Sequence, residues 1–299
     1  MSTSAGVIGA EKKNQAEVLR QLEKGRTRQI LVNIALYAIA LGFLFFSLFP
    51  ILLIFLTSLK TDVQIFSETP VWIFKPTMQN YKDAFTGAWS QLPFLINSLI
   101  ITIISTAIAV VFGAMAAYGL ARYEFKGNRD LSFWILSTRM APPIAFIVPM
   151  FVLIKAIGLL DTWWGLIIMY TGINLSFCVW ILRGFFLDIP IELEESALVD
   201  GYTRWQVFTK IALPLVKPGL AAVAVFSSIF AWNEFLFALI LTAQNSKTIP
   251  IGITGFSTAM GIRWGQFMAV GFVAILPVLI FTFLMQRYLV RGLTFGAVK

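Results

Sequence analysis

Three long stretches of this chain contain no aspartate, glutamate, lysine or arginine, and they constrain the fold more than any other feature. They are Gln29–Leu59, Thr162–Leu182 and Trp264–Gln286. Each is longer than the ~20 residues that an α-helix needs to cross the hydrocarbon core of a bilayer. With 58% hydrophobic and 13% charged residues, the chain is also too apolar for an ordinary soluble domain. The sequence therefore predicts an all-α membrane protein.

Further apolar stretches bring the predicted number of transmembrane helices to six. They are Phe94–Leu120 without charges, Phe133–Ile157 with Arg139 and Lys155, and Leu220–Leu241 with Glu234. Pro142 and Pro143 follow Arg139 closely, and a proline inside a helix removes a backbone N–H and clashes with the preceding turn. We therefore expect the third helix to kink or break at this proline pair.

The lysine and arginine residues predict the orientation. With the N-terminus inside, 16 of the 23 lysines and arginines fall in inner segments, 6 fall in outer segments, and Arg139 lies within a span. Cytoplasmic loops of membrane proteins carry such an excess of basic residues. We therefore expect both termini in the cytoplasm, and we read the net charge of +8 as a topology signal, since the basic residues form no single soluble face for nucleic acid.

Several kinds of chemistry lack their usual residues in this sequence. The chain has no histidine, which is the commonest metal ligand and general base, and its one cysteine, Cys178, lies in an apolar span. It also has no G-x-x-x-x-G-K-S/T loop, the motif that holds nucleotide phosphates. We expect no catalytic residues, no metal site, no bound cofactor and no enzyme activity in this polypeptide.

A polar segment between two apolar spans, residues 188–216, predicts two short helices joined by a bend. Asp188 is expected to cap the first helix with Pro190 in its first turn, and Gly201 to end it in a left-handed conformation. Thr203 and Gln206 have the spacing of a capping box that starts the second helix, and Pro214 is expected to stop it. We interpret a rigid helix pair at a membrane surface as a lever that another protein can move.

The same segment carries a family resemblance. Glu195, Ala197, Gly201, Ile211, Leu213 and Pro214 have the spacing of the EAA loop of bacterial ABC importer permeases, with Ser196 and Tyr202 where smaller residues are common. Other runs resemble the maltose-type carbohydrate permeases of binding-protein-dependent transport: Asn97-Ser-Leu99, Thr138-Arg-Met-Ala-Pro-Pro143, Trp232-Asn-Glu-Phe235 and Gln286-Arg-Tyr-Leu-Val-Arg-Gly-Leu293. The resemblance covers roughly residues 30–299.

The resemblance implies a fold, partners and a function. It implies a type I ABC importer permease, one transmembrane subunit of an ATP-driven importer for a sugar or sugar-like solute in the bacterial inner membrane. The implied partners are an ABC ATPase dimer that binds ATP and magnesium, a second homologous permease subunit and a periplasmic solute-binding protein. The implied ATPase-coupling residues are Glu195, Ser196, Ala197, Asp200, Gly201, Tyr202, Trp205, Ile211, Leu213 and Pro214, and the tail Arg291–Lys299 is implied to touch the ATPase.

Polar side chains inside the predicted spans suggest a solute path. A charge at mid-bilayer costs a few kcal/mol, so each one needs a reason. The candidates are Asn97, Arg139, Asn174, Trp232, Asn233 and Glu234. Glu234 and Asn233 would exchange hydrogen bonds with sugar hydroxyls while the sugar ring stacks on Trp232. The alternative is interhelical hydrogen bonding that holds the bundle together, with Arg139 as a partner for Glu234.

The remaining segments are assigned more coarsely. Residues 1–30 are a cytoplasmic tail, which forms either a membrane-surface helix or a partly ordered segment, and residues 31–299 are the permease domain. The outer loop 60–93 is either a docking site for the binding protein or an interfacial anchor without a partner, and the outer loop 243–265 either reaches toward the binding protein or is a flexible connector.

Two other functions remain open at the level of sequence. One is an ion-coupled secondary carrier, although the chain has no recognisable inverted repeat and the helix pair would then have no role. The other is a membrane scaffold without a transport cycle. Within the importer reading, the cargo is a saccharide, a polyol, a glycerol-phosphate-like solute or a glycoside.

Overall fold

The structure is a computed structural model that describes the backbone of residues 3–87, 90–258 and 261–295. Side chains are described for residues 29–87, 90–258, 261–283 and 286. The predicted contact of the tail Arg291–Lys299 with an ATPase therefore falls on side chains outside the described part. The chain divides into two units, Met1–Leu56 and Thr57–Lys299.

The described chain is almost entirely helical. In chain order the first helices are α1 Thr3–Ser58, α2 Asp62–Ile65, α3 Gln79–Thr86, α4 Leu92–Arg122, α5 Asn128–Ser137, α6 Pro143–Ala156, α7 Trp163–Leu187 and α8 Ile191–Val199. They are followed by α9 Arg204–Val207, a π-helical segment Phe208–Ala212, α10 Leu213–Leu215, α11 Lys217–Trp232, α12 Leu236–Leu241, α13 Ile249–Thr254 and α14 Trp264–Phe295. A small antiparallel hairpin pairs β1 Ser257–Thr258 with β2 Gly261–Ile262.

Among the described residues, four helices are long and apolar enough to cross a membrane. They are Gln29–Ser58, Leu92–Arg122, Trp163–Leu187 and Trp264–Phe283. A fifth span results if the helix pair Arg204–Leu215 and Lys217–Trp232, bent by 75°, is counted as one. These agree with the predicted first, second, fourth and sixth spans in position.

The predicted third span is divided at the proline pair. Helix α5 ends at Ser137, and α6 begins at Pro143 after a turn in which Pro142 has an extended backbone. Proline disfavours helical geometry in the residue before it and donates no hydrogen bond. The expected break at Pro142 and Pro143 is therefore confirmed.

The predicted fifth span is also divided, although no proline lies at the break. Helix α11 ends at Trp232, and α12 begins at Leu236. The Glu234 carboxylate accepts the backbone N–H groups of Phe237 at 2.9 Å and Ala238 at 3.1 Å. This carboxylate caps a new helix, so the prediction of one continuous helix over Leu220–Leu241 is wrong.

The core of the second unit is built around the close packing of α4 against α7. A Cβ atom added to Gly113 of α4 would lie 2.4 Å from the Cβ of Cys178 in α7. Small residues permit such close approach of two helices in a membrane, where packing contacts replace the hydrophobic effect as the driving force. The surrounding buried cluster includes the fully buried Ala109, Leu182 and Phe186.

The close approach at Gly113 predicts a substitution effect. Gly113→Ala should lower the free energy of unfolding by about 1–3 kcal/mol, because the added methyl group has no space next to Cys178. Gly119→Ala in the same helix is the control, since nothing lies within 4 Å of its added Cβ. Alanine there should be neutral or stabilising by up to about 1 kcal/mol. Thermal unfolding of both variants in detergent tests this, and equal stabilities would contradict the packing.

Candidate functional site

The bend between α8 and α9 is fixed by a glycine in the left-handed region. Gly201 has a φ of +88° and its N–H donates to the carbonyl of Leu198 at 3.1 Å. The N–H of Tyr202 donates to the carbonyl of Ala197 at 3.0 Å. These two bonds form a Schellman motif, which requires one residue with positive φ just after the helix. The predicted role of Gly201 as the end of the first helix is confirmed.

The starts of the two short helices differ from each other. Thr203 and Gln206 form the predicted capping box, with the Gln206 N–H donating to Thr203 Oγ1 at 3.3 Å and the Thr203 N–H to Gln206 Oε1 at 2.8 Å. The prediction for Asp188 is wrong. Asp188 ends α7, and the capping position of α8 is Pro190, so the helix begins at Ile191 without a side-chain cap.

Pro214 does not stop the second helix as predicted. The chain widens into the π-helical segment Phe208–Ala212 and then continues as α10 through Pro214 to Leu215. Proline has no N–H to donate, but at the start of a helical turn that group is not required. The chain therefore passes Pro214 without ending and bends by 75° before α11.

A buried ion pair fastens the helix pair to the end of α4. The Glu194 carboxylate accepts from Arg122 Nε at 2.8 Å and from the Tyr118 hydroxyl at 2.7 Å. Arg122 Nη2 also donates to the carbonyl of Ile189 at 3.0 Å, so it contacts the chain on both sides of Pro190. The side chains of Arg122 and Glu194 are 7% and 6% exposed.

Glu194 is not among the coupling residues predicted from the sequence, although its neighbour Glu195 is. The two adjacent glutamates look alike in sequence, but Glu194 is buried and Glu195 is exposed. The available signal was helical spacing, since Glu194 lies three residues before the buried Ala197 and therefore on the same face of α8.

Aromatic packing supports the same joint. The Phe208 ring lies 4.9 Å from the Tyr118 ring and 5.4 Å from the Trp205 ring, between centroids. Phe208 is 5% exposed and belongs to the buried cluster around α4 and α7. It therefore holds the second short helix against the bundle, and it does not offer its ring to a partner.

The helix pair also presents apolar side chains to solvent. Val199 is 87% exposed, Trp205 59% and Tyr202 39%. The remaining predicted coupling residues divide by burial: Glu195, Ser196, Asp200, Gly201 and Pro214 are exposed, Ile211 and Leu213 are half-buried, and Ala197 is buried. Large apolar side chains clustered at a surface are typical of a protein interface.

The predicted solute-path residues do not form one constellation. Asn97 is buried, and its Nδ2 donates to the carbonyls of Asn245 and Lys247, both at 2.9 Å. Its Oδ1 accepts the indole N–H of Trp163 at 2.9 Å. These bonds account for the Asn97 amide without a solute, and its place in a solute path stays a prediction.

The Trp232 ring is buried in the bundle. It is 5% exposed, and its indole N–H donates to the Ala274 carbonyl at 3.1 Å. In this structure the ring offers no face on which a sugar could stack, because it is packed in a buried cluster with residues of α3, α13 and α14. The neighbouring Asn233 is exposed, and its Nδ2 donates to the carbonyl of Ile229 at 2.8 Å.

Arg139 is held by aromatic rings. Its guanidinium lies 4.9 Å from the Phe177 ring centroid and 4.6 Å from that of Phe230, and Nη1 donates to the Ile173 carbonyl at 3.3 Å. A cation over an aromatic face is stabilised by the ring quadrupole. In the described part of the chain, no ion pair joins Arg139 to Glu234, so the predicted partnership of these two residues is wrong.

Two polar atoms along α7 lack partners among the described residues. Asn174 is 1% exposed, and its Nδ2 donates to the Ser227 carbonyl at 3.3 Å while its Oδ1 accepts no bond. The hydroxyl of Tyr170 also has no hydrogen-bond partner, and it lies within electrostatic range of Glu234. Arg139 and Glu234 therefore both interact with the 170–177 stretch of α7, and Asn174 within that stretch contacts α11.

The fold matches that of solved transport subunits. A chain from the crystal structure of a bacterial ABC transporter involved in the import of the acidic polysaccharide alginate superposes with a TM-score of 0.72 at 23% identity, covering 85% of this chain and 95% of that one. At this identity the likeness concerns the fold alone. The helical bundle with its short helix pair is thus an architecture that occurs in a solved bacterial ABC transporter.

Sequence comparison identifies the family. Residues 109–295 match the binding-protein-dependent transport system inner membrane component, and the chain belongs to this family of ABC transporter permeases. It is a multi-pass protein of the inner membrane. The resemblance predicted from the EAA spacing is confirmed, and the alternatives of a secondary carrier and a scaffold do not fit this membership.

Relatives extend over nearly the whole chain. The Probable ABC transporter permease protein y4oR of Sinorhizobium fredii is 43% identical over 255 residues, which are 85% of this chain and 91% of that protein. The trehalose transport system permease protein SugB of Mycobacterium tuberculosis is 41% identical over 257 residues, 85% of this chain and 93% of that protein.

The buried ion pair predicts different outcomes for two adjacent glutamates. Glu194→Gln should lower the free energy of unfolding by about 3 kcal/mol, because it leaves the Arg122 guanidinium buried without a charge partner. Glu195→Gln, one residue away on the exposed face, should leave stability within about 0.5 kcal/mol. Thermal unfolding of the two purified variants measures this. Equal losses of stability would show that the ion pair does not fasten α8.

Proposed function

We propose that this chain is one transmembrane subunit of an ATP-driven importer that moves a sugar or sugar-like solute from the periplasm to the cytoplasm. The solute class rests on relatives, because the Mycobacterium tuberculosis protein is named for trehalose transport. In this proposal the chain has six spans and cytoplasmic termini, with α5 and α6 as the interrupted third span and α11 and α12 as the interrupted fifth.

The α8–α9 pair carries the proposal. It is a rigid element with local bonds that fix its bend, a buried ion pair that fastens it to α4, and an exposed face with Val199, Tyr202 and Trp205. We propose that this face, with Glu195 and Asp200 at its edge, docks into an ATPase subunit. Closure of two ATPase subunits on ATP would then move the pair as a rigid body.

The connection into the bundle follows the chain. Beyond α9, the π-helical segment and α10 with Pro214 lead through the 75° bend into α11, and α11 contacts α4, α7 and α14. We propose that motion of the helix pair is transmitted along this path to Glu234 and the α7 stretch near Asn174. A second homologous permease subunit and a periplasmic solute-binding protein complete the assembly, and ATP and magnesium bind on the ATPase, with no cofactor in this chain.

The proposal is tested by reconstitution. The chain is coexpressed with the second permease subunit, the ATPase and the solute-binding protein of its transport system. The complex is purified and placed in vesicles with ATP inside. We expect copurification of the ATPase and ATP-dependent uptake of one member of a labelled panel containing trehalose, maltose, glycerol 3-phosphate and a polyol. Uptake that does not depend on ATP and is abolished by a protonophore would contradict the proposal.

The bend at Gly201 predicts a pair of variants with opposite outcomes. Gly201→Pro should reduce ATP-driven uptake by about tenfold or more, because proline fixes φ near −65° and removes the N–H that bonds Leu198. Gly201→Asn should keep most of the uptake, because asparagine tolerates the left-handed conformation. Immunoblots of membranes verify equal insertion. Uptake at the wild-type rate by the proline variant would contradict the proposed role of the α8–α9 pair in transmitting motion.

The interrupted fifth span predicts a second effect. Glu234→Gln should change the solute concentration at half-maximal uptake by about fivefold, because a hydrogen-bonding partner lost from a binding site costs about 1 kcal/mol. Thr242→Val is the control, since it removes a hydrogen bond to Ala238 at the other end of α12. Uptake kinetics measure both variants. An unchanged half-saturation in Glu234→Gln would restrict Glu234 to its capping role.

A further inference from the structure

The segment 242–248, which joins α12 to α13, is held by hydrogen bonds to one carboxylate. Asp161, in the turn between α6 and α7, accepts the backbone N–H groups of four consecutive residues. These are Ala243 at 2.9 Å and Gln244, Asn245 and Ser246 at 3.1 Å. It also accepts from Asn245 Nδ2 at 2.9 Å and from the Ser246 hydroxyl at 3.2 Å. A single side chain thus determines the path of most of this segment.

The same segment is held from a second direction by the start of α4. Asn97 donates to the Asn245 and Lys247 carbonyls, and the Ser98 hydroxyl accepts the Ile249 N–H at 2.7 Å. Trp163, two residues after Asp161, donates its indole N–H to Asn97. The ends of α4, α7 and α12 and the start of α13 therefore meet at one joint.

The local chemistry at Asp161 is unusual for a plain turn. Its φ of +54° makes it the one residue other than glycine with a positive φ among the described residues. Such strain persists where the surroundings over-determine it. Burial acts to raise the pKa of the carboxyl, but the N–H groups of Ala243, Asn245, Gln244 and Ser246 outweigh it and hold the pKa well below its usual range. The Asp161 carboxylate is therefore ionised and accepts the backbone N–H groups of residues 243–246.

We propose that Asp161 is a positioning residue that makes the 242–248 segment one rigid body with the ends of α4 and α7. A periplasmic protein that engages the loop 243–265 would then displace these helix ends directly. Asp161 itself contacts no solute in this proposal. The inference rests on the proposed function, because it concerns how the binding protein's contact reaches the bundle.

The proposal predicts slow hydrogen exchange in wild-type protein. Ala243, Gln244 and Asn245 are exposed and lie outside helices, and a plain loop with these properties exchanges its amide hydrogens rapidly. Because their N–H groups are bonded to Asp161, we expect protection comparable to that of the neighbouring α13. Rapid exchange at these positions in the reconstituted wild-type complex would contradict the rigid attachment of the 242–248 segment, and this test requires no variant.

The functional test separates binding-protein stimulation from basal ATP hydrolysis. Asp161→Asn keeps the side-chain size but loses one acceptor oxygen and the charge. The solute-binding protein is loaded with the member of the panel that gives the highest uptake with the wild-type complex. We expect its stimulation of ATPase activity to fall about tenfold in Asp161→Asn, within the range of allosteric coupling. Basal ATPase activity should stay within about twofold of wild type. Glu124→Gln, which neutralises an exposed carboxylate in the turn between α4 and α5, should change neither.

A double variant tests whether Asp161 acts through the segment. Asn97→Ala releases the same segment from the other side, so Asp161→Asn and Asn97→Ala together should cost less than the sum of the single losses in stimulation. Additive losses, or a basal activity that falls in parallel with stimulation, would reduce Asp161 to a structural residue. Wild-type stimulation in Asp161→Asn would overturn the inference alone, whereas a wild-type complex without any stimulation would overturn the proposed function and this inference with it.

Discussion

The ion pair between Arg122 and Glu194 is the interaction on which the functional architecture depends. It joins the last turn of a long apolar helix to a short polar one, and it lies where both charges are almost fully removed from solvent. A buried pair of this kind adds little net stability compared with apolar packing, but its loss is costly. Removal of either partner would therefore strongly destabilise the connection between α4 and α8, which suits the proposed role of the helix pair as a rigid element.

Prediction from sequence succeeded where the determinants are local. The left-handed Gly201, the capping box of Thr203 and Gln206, and the break at Pro142 and Pro143 each depend on residues within one or two turns of one another. The physical reason is that backbone hydrogen bonds at helix ends are satisfied by near neighbours in the chain. The same holds for the apolar spans, whose length and lack of charge are properties of the sequence alone.

Prediction failed where the partner is distant in sequence. Glu194 and Arg122 are 72 positions apart, and nothing in either segment indicates which of two adjacent glutamates turns inward. Trp232 was interpreted as a stacking surface because it lies beside Asn233 and Glu234, but packing against α14 places its ring in the core. Asp188 illustrates a third case, because the same residue is compatible with the end of one helix and the start of the next, and only the chain path decides.

The two charged groups within the spans, Arg139 and Glu234, have separate partners. Arg139 is stabilised by two phenylalanine rings, and Glu234 by backbone N–H groups, so neither charge requires the other. The Asn174 Oδ1 and the Tyr170 hydroxyl are buried along the same stretch of α7.

The Schellman motif at Gly201 has a consequence for recognition. Because its two hydrogen bonds lie entirely within the bend between α8 and α9, the proposed docking surface is formed before contact is made. In the proposed assembly, association would lose little conformational entropy at this surface, and more of the contact energy would hold the two proteins together. A bend that is assembled in advance would also transmit displacement from the first instant of contact.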